Sequence, residues 1–88
     1  MLKLIYTHKF EKNRKLVKRR GYNLEKLETI VKMLVKGERL PAEVLNHKLK
    51  GGLVGCWECH IASDWLLIYQ KTETAIILLQ TGSHADLF

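Results

Sequence analysis

The chain has 88 residues, 47% of them hydrophobic, which is enough for one compact domain and too few for two separate cores. No stretch approaches the roughly 20 apolar residues of a membrane-spanning helix, so we expect a single cytoplasmic domain over residues 1–88 without membrane contact. The formal net charge is +6, and residues 1–20 carry eight Lys or Arg against one acid, a net of +7. Such a basic block either attracts a polyanion or forms a solvated helix face, and charge alone leaves both open.

The first half of the chain predicts one strand followed by two helices. Residues 2–6 alternate in the way typical of a short strand, with apolar residues on both faces. Thr7 is a suitable N-cap for a highly charged helix that ends at Gly21. Asn23 caps a second helix, in which apolar residues recur at three- and four-residue spacing until Gly37 ends it. This apolar stripe is typical of a helix that packs on a core.

The second half predicts a loop and then an antiparallel meander. Residues 38–53 contain Pro41 and no clean period, so we expect them to form a loop. Three strands fit the pattern at about 54–61, 65–71 and 75–81, joined by short polar turns. The sequence therefore predicts an α+β fold with the order β-α-α-β-β-β.

A Cys-x-x-Cys motif at Cys56 and Cys59, followed by His60, suggests zinc binding or redox chemistry. A structural zinc site normally takes four ligands, and the predicted strand points the two cysteines to opposite faces. We therefore expect neither a metal nor another cofactor. A small metal-binding protein is one alternative hypothesis.

Three of the four histidines lie in the second half of the chain: His47 in the loop, His60 on a strand, and His84 after the last strand. On the first strand of the meander, Glu58 and His60 share one face, while the other face resembles core. Gln80 lies on the last strand, and the chain turns away just beyond it. We expect this turn to bring His84 to the same surface, so that the histidines meet at one end of the sheet.

Paired histidines suit cleavage of RNA without a metal. Their unperturbed pKa of about 6.5 allows one to act as a base and another as an acid near neutral pH. Attack of a ribose 2′-hydroxyl on the adjacent phosphorus requires both. A hydrogen-bonded surface pair of His and carboxylate is the simpler interpretation, and the pattern alone does not exclude it.

Four blocks of the sequence, in order, resemble the YafQ branch of the RelE toxin superfamily. They are His47-Lys48-Leu49-Lys50-Gly51, Glu58-Cys59-His60-Ile61, Asp64-Trp65-Leu66-Leu67-Ile68-Tyr69, and Thr81-Gly82-Ser83-His84-Ala85-Asp86-Leu87-Phe88. The resemblance implies a RelE-like single domain. It also implies the toxin of a type II toxin–antitoxin system, an endoribonuclease that cuts mRNA on the ribosome without a metal.

The resemblance also implies roles for single residues. It makes His84 the proton donor and gives His47 and His60 a part in catalysis. It makes Asp64 a site residue that orients a histidine or the substrate. It places Phe88 close to the site, where an aromatic ring is expected to stack on a base.

Two positions depart from the family pattern. Gln80 stands where the family commonly has Arg, and Glu58 stands where it commonly has Asp. Arg would provide a fixed bidentate cation for the phosphate, whereas Gln donates only ordinary hydrogen bonds. We expect Gln80 and Glu58 to contact the substrate. The neutral Gln80 predicts either weaker activity or replacement of the missing cation by Lys48 or Lys50. A noncatalytic RNA- or ribosome-binding module of the same fold is the second alternative hypothesis.

The resemblance further implies partners. They are mRNA on the 70S ribosome and a cognate antitoxin protein, expected in a heterotetrameric complex that contacts operator DNA only through the antitoxin. The basic first helix suits an acidic antitoxin segment as well as it suits ribosomal RNA.

Overall fold

A computed structural model describes residues 1–49 and 55–88. Its helices and strands are β1 (Lys3–Tyr6), α1 (His8–Arg19), α2 (Leu24–Lys36), β2 (His47–Lys48), β3 (Cys56–Ala62), β4 (Trp65–Lys71), β5 (Ala75–Gly82) and α3 (His84–Leu87). The predicted α+β class and the order β-α-α-β-β-β are confirmed. Two elements are additional: the two-residue strand β2 and the four-residue helix α3. No helix among the described residues has the length and apolar character needed to cross a membrane.

Local capping explains why the two long helices begin and end where they do. The Thr7 side chain accepts the backbone N–H of Phe10 at 3.1 Å, and the Asn23 side chain accepts that of Glu25 at 3.1 Å. Gly37 ends α2 in the left-handed conformation, with φ of 72°. Both N-caps and this end were predicted from the sequence, and the structure confirms them.

The five strands form one sheet in the order β1-β5-β4-β3-β2. β1 runs parallel to β5, and the other neighbours are antiparallel. The helices α1 and α2 cover one face of this sheet, and the core lies between the helices and that face. Its fully buried members include Phe10, Val17, Cys59, Leu67, Ile76 and Leu78.

A bulge at Leu79 decides which residues of β5 face away from that core. Ile68 pairs with Gln80 and the next residue, Tyr69, pairs with Leu78, so Leu79 is an extra residue on β5. Leu78 belongs to the core, and the shift turns Gln80 to the opposite face. The register then aligns His47, Glu58, Ile68 and Gln80 across four strands. We call this face, defined by His47, Glu58, His60 and Gln80, the histidine face.

Two sequence predictions differ from the structure in detail. The expected loop at 38–53 contains a 3-10 turn at Ala42–Val44 and strand β2. The first strand of the meander, expected at 54–61, spans Cys56–Ala62, and residue 54 lies outside the described residues. The turn between β3 and β4 is therefore shorter than expected, consisting of Ser63 and Asp64.

Candidate active site on the histidine face

Glu58 lies between two histidines. His47 Nε2 is 3.6 Å from Glu58 Oε1, and His60 Nε2 is 3.7 Å from the same oxygen. Both distances are longer than a hydrogen bond but fall within ion-pair range once an imidazole is protonated. The Glu58 side chain is only 9% exposed, so its charge is screened less than a surface carboxylate would be. Glu58 can therefore stabilise a proton on either neighbouring ring.

The loop before β2 fixes the His47 ring. His47 Nδ1 lies 2.8 Å from the carbonyl oxygen of Leu45, and because a carbonyl only accepts, Nδ1 carries a proton. Nε2, which faces Glu58, is then the nitrogen with a free lone pair in the neutral ring. The backbone turns at Leu45, which has a left-handed φ of 50°. The next residue, Asn46, accepts a hydrogen bond from the Tyr69 hydroxyl at 2.7 Å. The buried Tyr69 thus anchors the residue that precedes His47.

His84 is held from the other side by Asp64. His84 Nδ1 is 2.8 Å from Asp64 Oδ1, and the backbone N–H of His84 donates to the same oxygen at 3.0 Å. These two contacts hold the pKa of Asp64 below its usual value, the backbone hydrogen bond first and the side-chain hydrogen bond second. Asp64 is therefore a carboxylate that accepts from Nδ1, and His84 Nε2 remains available to a substrate.

The His84 ring stands next to His60 and Phe88. Its centroid is 6.0 Å from that of His60 and 6.4 Å from that of Phe88. The side chains of His84 and His47 are 56% and 51% exposed. A large apolar groove of about 640 Å³ lies elsewhere, between α1, α2 and β1, and no histidine lines it. The histidines thus occupy an accessible surface, which suits a macromolecular substrate better than a small molecule enclosed in a pocket.

The turn that carries His84 has its own hydrogen bonds. Ser83 and Asp86 form a capping box, in which the Ser83 side chain accepts the backbone N–H of Asp86 and Asp86 accepts that of Ser83. A Cβ at Gly82 would lie 2.9 Å from Asp86 Oδ2, so glycine leaves room for this carboxylate. Thr81 accepts the indole N–H of Trp65 at 2.9 Å and so fixes the end of β5. The Trp65 ring is therefore a core group and does not face the histidines.

The remaining predicted site residues are placed as follows. Gln80 is half-buried on the histidine face, in register with Ile68. Phe88 is 64% exposed beside His84. Lys48 lies with its ammonium 5.5 Å from the Trp57 ring, on the side of the sheet that packs against the core. The structure therefore does not bring Lys48 to the histidines, and Lys50 lies outside the described residues.

The cysteines point to opposite faces, as predicted. Cys59 is fully buried in the core, and this burial raises the pKa of its thiol to about 12. Cys56 is half-buried on the other face of β3. Because the thiolate is the metal-binding and nucleophilic form, Cys59 is poorly suited to either role. Within residues 1–49 and 55–88, no three His, Cys, Asp or Glu side chains form a group that could hold a metal ion.

Two supporting contacts have no counterpart among the sequence predictions. The Tyr69–Asn46 hydrogen bond joins residues 23 positions apart, and no local sequence pattern predicts it. Asp86 accepts from Arg20, at the end of α1, at 2.7 Å. The Ser83-x-x-Asp86 spacing is a capping-box signal that the sequence does carry. The partner Arg20 carries no such signal.

The fold has two helices on one face of a mixed five-stranded sheet, and histidines and carboxylates lie together on the opposite face. This arrangement is that of a small RelE-like toxin domain. The chain belongs to the YafQ family, since the model of that family, described as the bacterial toxin of a type II toxin–antitoxin system, matches residues 2–88. The family predicted from the four sequence blocks is confirmed.

Individual relatives cover nearly the whole chain. It is 33% identical over 84 residues to the mRNA interferase toxin YafQ of Escherichia coli strain K12, covering 94% of this chain and 91% of that protein. It resembles a chain of the crystal structure of the E. coli DinJ–YafQ toxin–antitoxin complex with a TM-score of 0.93 and 32% identity, over 99% of this chain and 97% of that one. A copper-bound mutant toxin from Helicobacter pylori gives a TM-score of 0.95 and 35% identity over 100% of both chains.

Proposed function

We propose that the chain is an endoribonuclease that cleaves mRNA on the 70S ribosome by metal-independent acid–base catalysis and is silenced by an antitoxin. The observation that carries this proposal is the placement of His84, whose Nδ1 is held by Asp64 while its ring lies 6.0 Å from that of His60. A relative that is 33% identical is an mRNA interferase, which supports mRNA as the substrate.

In the proposed reaction, His60 removes the proton of a ribose 2′-hydroxyl. The 2′-oxygen attacks the adjacent phosphorus, the bond from phosphorus to the 5′-oxygen breaks, and His84 Nε2 gives its proton to that leaving oxygen. The products are a 2′,3′-cyclic phosphate and a 5′-hydroxyl. Glu58 stabilises the proton that His60 gains, and Asp64 stabilises the proton that His84 carries before the transfer.

His47 completes the basic side of the site. It shares Glu58 Oε1 with His60, so the two rings compete for the same negative charge. His47 is therefore the alternative base, and single replacement of His47 or His60 distinguishes the two.

Contacts around the histidines are proposed to hold the RNA. Phe88 stacks on a base, because its exposed ring stands beside His84. Gln80 donates hydrogen bonds to a phosphate oxygen where an arginine would supply a positive charge. The basic helix α1 docks on ribosomal RNA, whose phosphates attract the net charge of +7 that residues 1–20 carry. The placement of Lys48 over Trp57 does not support its predicted phosphate contact.

A cognate antitoxin is the proposed protein partner. The complex of the E. coli relative YafQ with DinJ supports this assignment. We propose that the assembly is a heterotetramer and that operator DNA is contacted through the antitoxin alone. The chain is proposed to act in the cytoplasm, where its substrate is translated.

Induced expression of matched variants tests the proposal. The wild type should arrest growth and produce new mRNA ends in translated regions, whereas His84→Gln should do neither. His8→Gln, a histidine at the start of α1 and away from the site, serves as the control for loss of an imidazole. Growth arrest without mRNA cleavage by the wild type would favour the noncatalytic ribosome-binding module. The neutral Gln80, which lacks the charge of the family's arginine, is the observation that favours this alternative.

A further inference from the structure

Arg20, which caps the C-terminus of the basic helix α1, contacts the short helix α3 that carries His84. Its Nη1 lies 2.7 Å from Asp86 Oδ2 and its Nη2 lies 3.2 Å from Asp86 Oδ1. The contact is a bidentate ion pair between residues 66 positions apart in the chain. Among the salt bridges of the described residues, it is the one that joins α1 to α3.

Asp86 is engaged on three sides. One of its oxygens accepts the backbone N–H of Ser83 at 2.9 Å, the guanidinium of Arg20 binds both oxygens, and the missing Cβ of Gly82 makes room for the group. These hydrogen bonds, with that from Arg20 first, lower the pKa of Asp86 to about 2. The carboxylate is thus ionised at any pH near neutrality, and these contacts hold it in place.

The helix α3 needs such contacts because it cannot be stable by itself. It has four residues, and isolated helices shorter than about 12 residues are marginal in water. Asp64 holds its first residue, His84, and Arg20 holds Asp86, two positions further on. Besides the capping box at Ser83, these two contacts hold α3 against other elements, so loss of either one should loosen the orientation of the helix.

We propose that Arg20 is a positioning residue, which through Asp86 fixes the orientation of α3 and so the direction in which His84 Nε2 faces the substrate. This inference rests on the proposed ribonuclease function. Arg20 itself touches no reacting atom. Its loss should therefore lower kcat much more than it changes KM, because misplacing a catalytic group slows chemistry even when the substrate still binds.

A competing explanation is that Arg20 simply binds RNA as part of the basic helix. Two variants separate these roles. Arg20→Met removes both the ion pair and the positive charge, whereas Asp86→Asn removes the ion pair but leaves the arginine and even raises the net charge. Asparagine also keeps an oxygen that can cap Ser83. If Arg20 only bound RNA, Asp86→Asn would leave cleavage intact or improve binding.

The experiment measures kcat and KM on ribosome-bound mRNA, the tautomer of His84 by nitrogen-15 NMR, and amide exchange of Leu87 and Phe88, whose N–H groups bond to Ser83 and His84 carbonyls. We expect both variants to lower kcat by about tenfold and to change KM by less than about twofold. Amide exchange should be about tenfold faster and the Nδ1–H tautomer less populated. The melting temperature should stay within about 5 °C of the wild type, because the side chains of Arg20 and Asp86 remain 41% and 21% exposed and ion pairs in contact with solvent contribute little to stability.

Arg39→Met is the matched control, since it removes an exposed arginine beyond the end of α2 and should match the wild type in every readout. The double variant Arg20→Met/Asp86→Asn should be no worse than either single change, because both break the same contact. The inference is overturned if Asp86→Asn keeps wild-type kcat, tautomer and exchange. If the wild type cuts no RNA, the proposed function fails, while the NMR and exchange results still decide whether Arg20 orients α3.

Discussion

The Nδ1 atom of His84 lies 2.8 Å from Asp64 Oδ1, and that same oxygen accepts the backbone N–H of His84 at 3.0 Å. Asp64 occupies the turn between β3 and β4 with a φ of 51°, a left-handed conformation that Asp tolerates better than most residues. One carboxylate therefore fixes both the backbone and the ring tautomer of His84. It also supplies the negative charge that a protonated imidazole needs.

Asp64→Asn tests this relationship. Asparagine keeps the size of the side chain but loses the charge, and its NH₂ group can turn towards Nδ1, so the tautomer is no longer fixed. We expect kcat to fall by about 10-fold to 10²-fold with little change in KM. Glu73→Gln, on the turn between β4 and β5, is the charge-matched control. Unchanged kcat in Asp64→Asn would remove Asp64 from the mechanism.

Gln80→Arg should increase the rate. The bulge at Leu79 points residue 80 to the histidine face, where a guanidinium would stabilise the charged phosphorane better than an amide does. We expect kcat to rise by about tenfold. Gln70→Arg places the same charge on β4 in register with Cys56, further along the sheet, and should have no such effect. Equal gains from both variants would point to general attraction of RNA instead.

The ion pair of Asp86 predicts a specific dependence of stability on pH. The hydrogen bond from Arg20 is the first cause of its low pKa of about 2. A carboxylate whose pKa is lower in the folded state stabilises the fold above its unfolded pKa near 4, and this contribution is lost as the pH falls from about 4 to about 2. We expect Asp86→Asn to lower the free energy of unfolding by less than about 1 kcal/mol at neutral pH.

Urea unfolding of the wild type and Asp86→Asn at neutral pH and near pH 2 checks this. The two proteins should differ at neutral pH, and the difference should be clearly smaller near pH 2, where Asp86 is protonated in the unfolded state and about half protonated in the folded state. A difference that is constant over this range would mean that Asp86 stabilises the fold through packing and not through its charge.

Removal of metal ions should leave the isolated protein unchanged. Cys59 is part of the core, so Cys59→Ser should destabilise the fold by about 1–3 kcal/mol by burying a hydroxyl, whether or not a chelator is present. Cys56→Ser should have little effect. Differential scanning calorimetry with and without a chelator, combined with metal analysis, checks this. A fall in melting temperature on chelation, abolished by either substitution, would support the metal-binding alternative.

How far the sequence predicts the fold depends on how local each signal is. The caps Thr7 and Asn23 lie within three residues of the groups they bind, and both helices were located from them. The strand β2 has two residues and exists because His47 and Lys48 pair with β3, so no periodicity reveals it. A short strand of this kind is specified by its neighbour and not by its own sequence.

The candidate site shows the same division. The shared face of Glu58 and His60 follows from simple alternation along one strand. Alternation along β5 would place Leu78 and Gln80 on the same face, and only the bulge separates them. The role of Arg20 depends on a contact across 66 positions, which the sequence does not announce. Its partner Asp86 was part of a matched block but had no assigned function.

The most direct test of acid–base catalysis by the histidine face is to incubate the purified wild type and His84→Ala with mRNA on translating ribosomes and to identify the ends produced. We expect cleavage by the wild type with 2′,3′-cyclic phosphate and 5′-hydroxyl ends, and a rate at least about 10²-fold lower for His84→Ala. Because the His84 side chain is 56% exposed, the variant should remain folded. Cleavage by His84→Ala at the wild-type rate, or 5′-phosphate ends from the wild type, would rule out acid catalysis by His84 through attack of the 2′-hydroxyl.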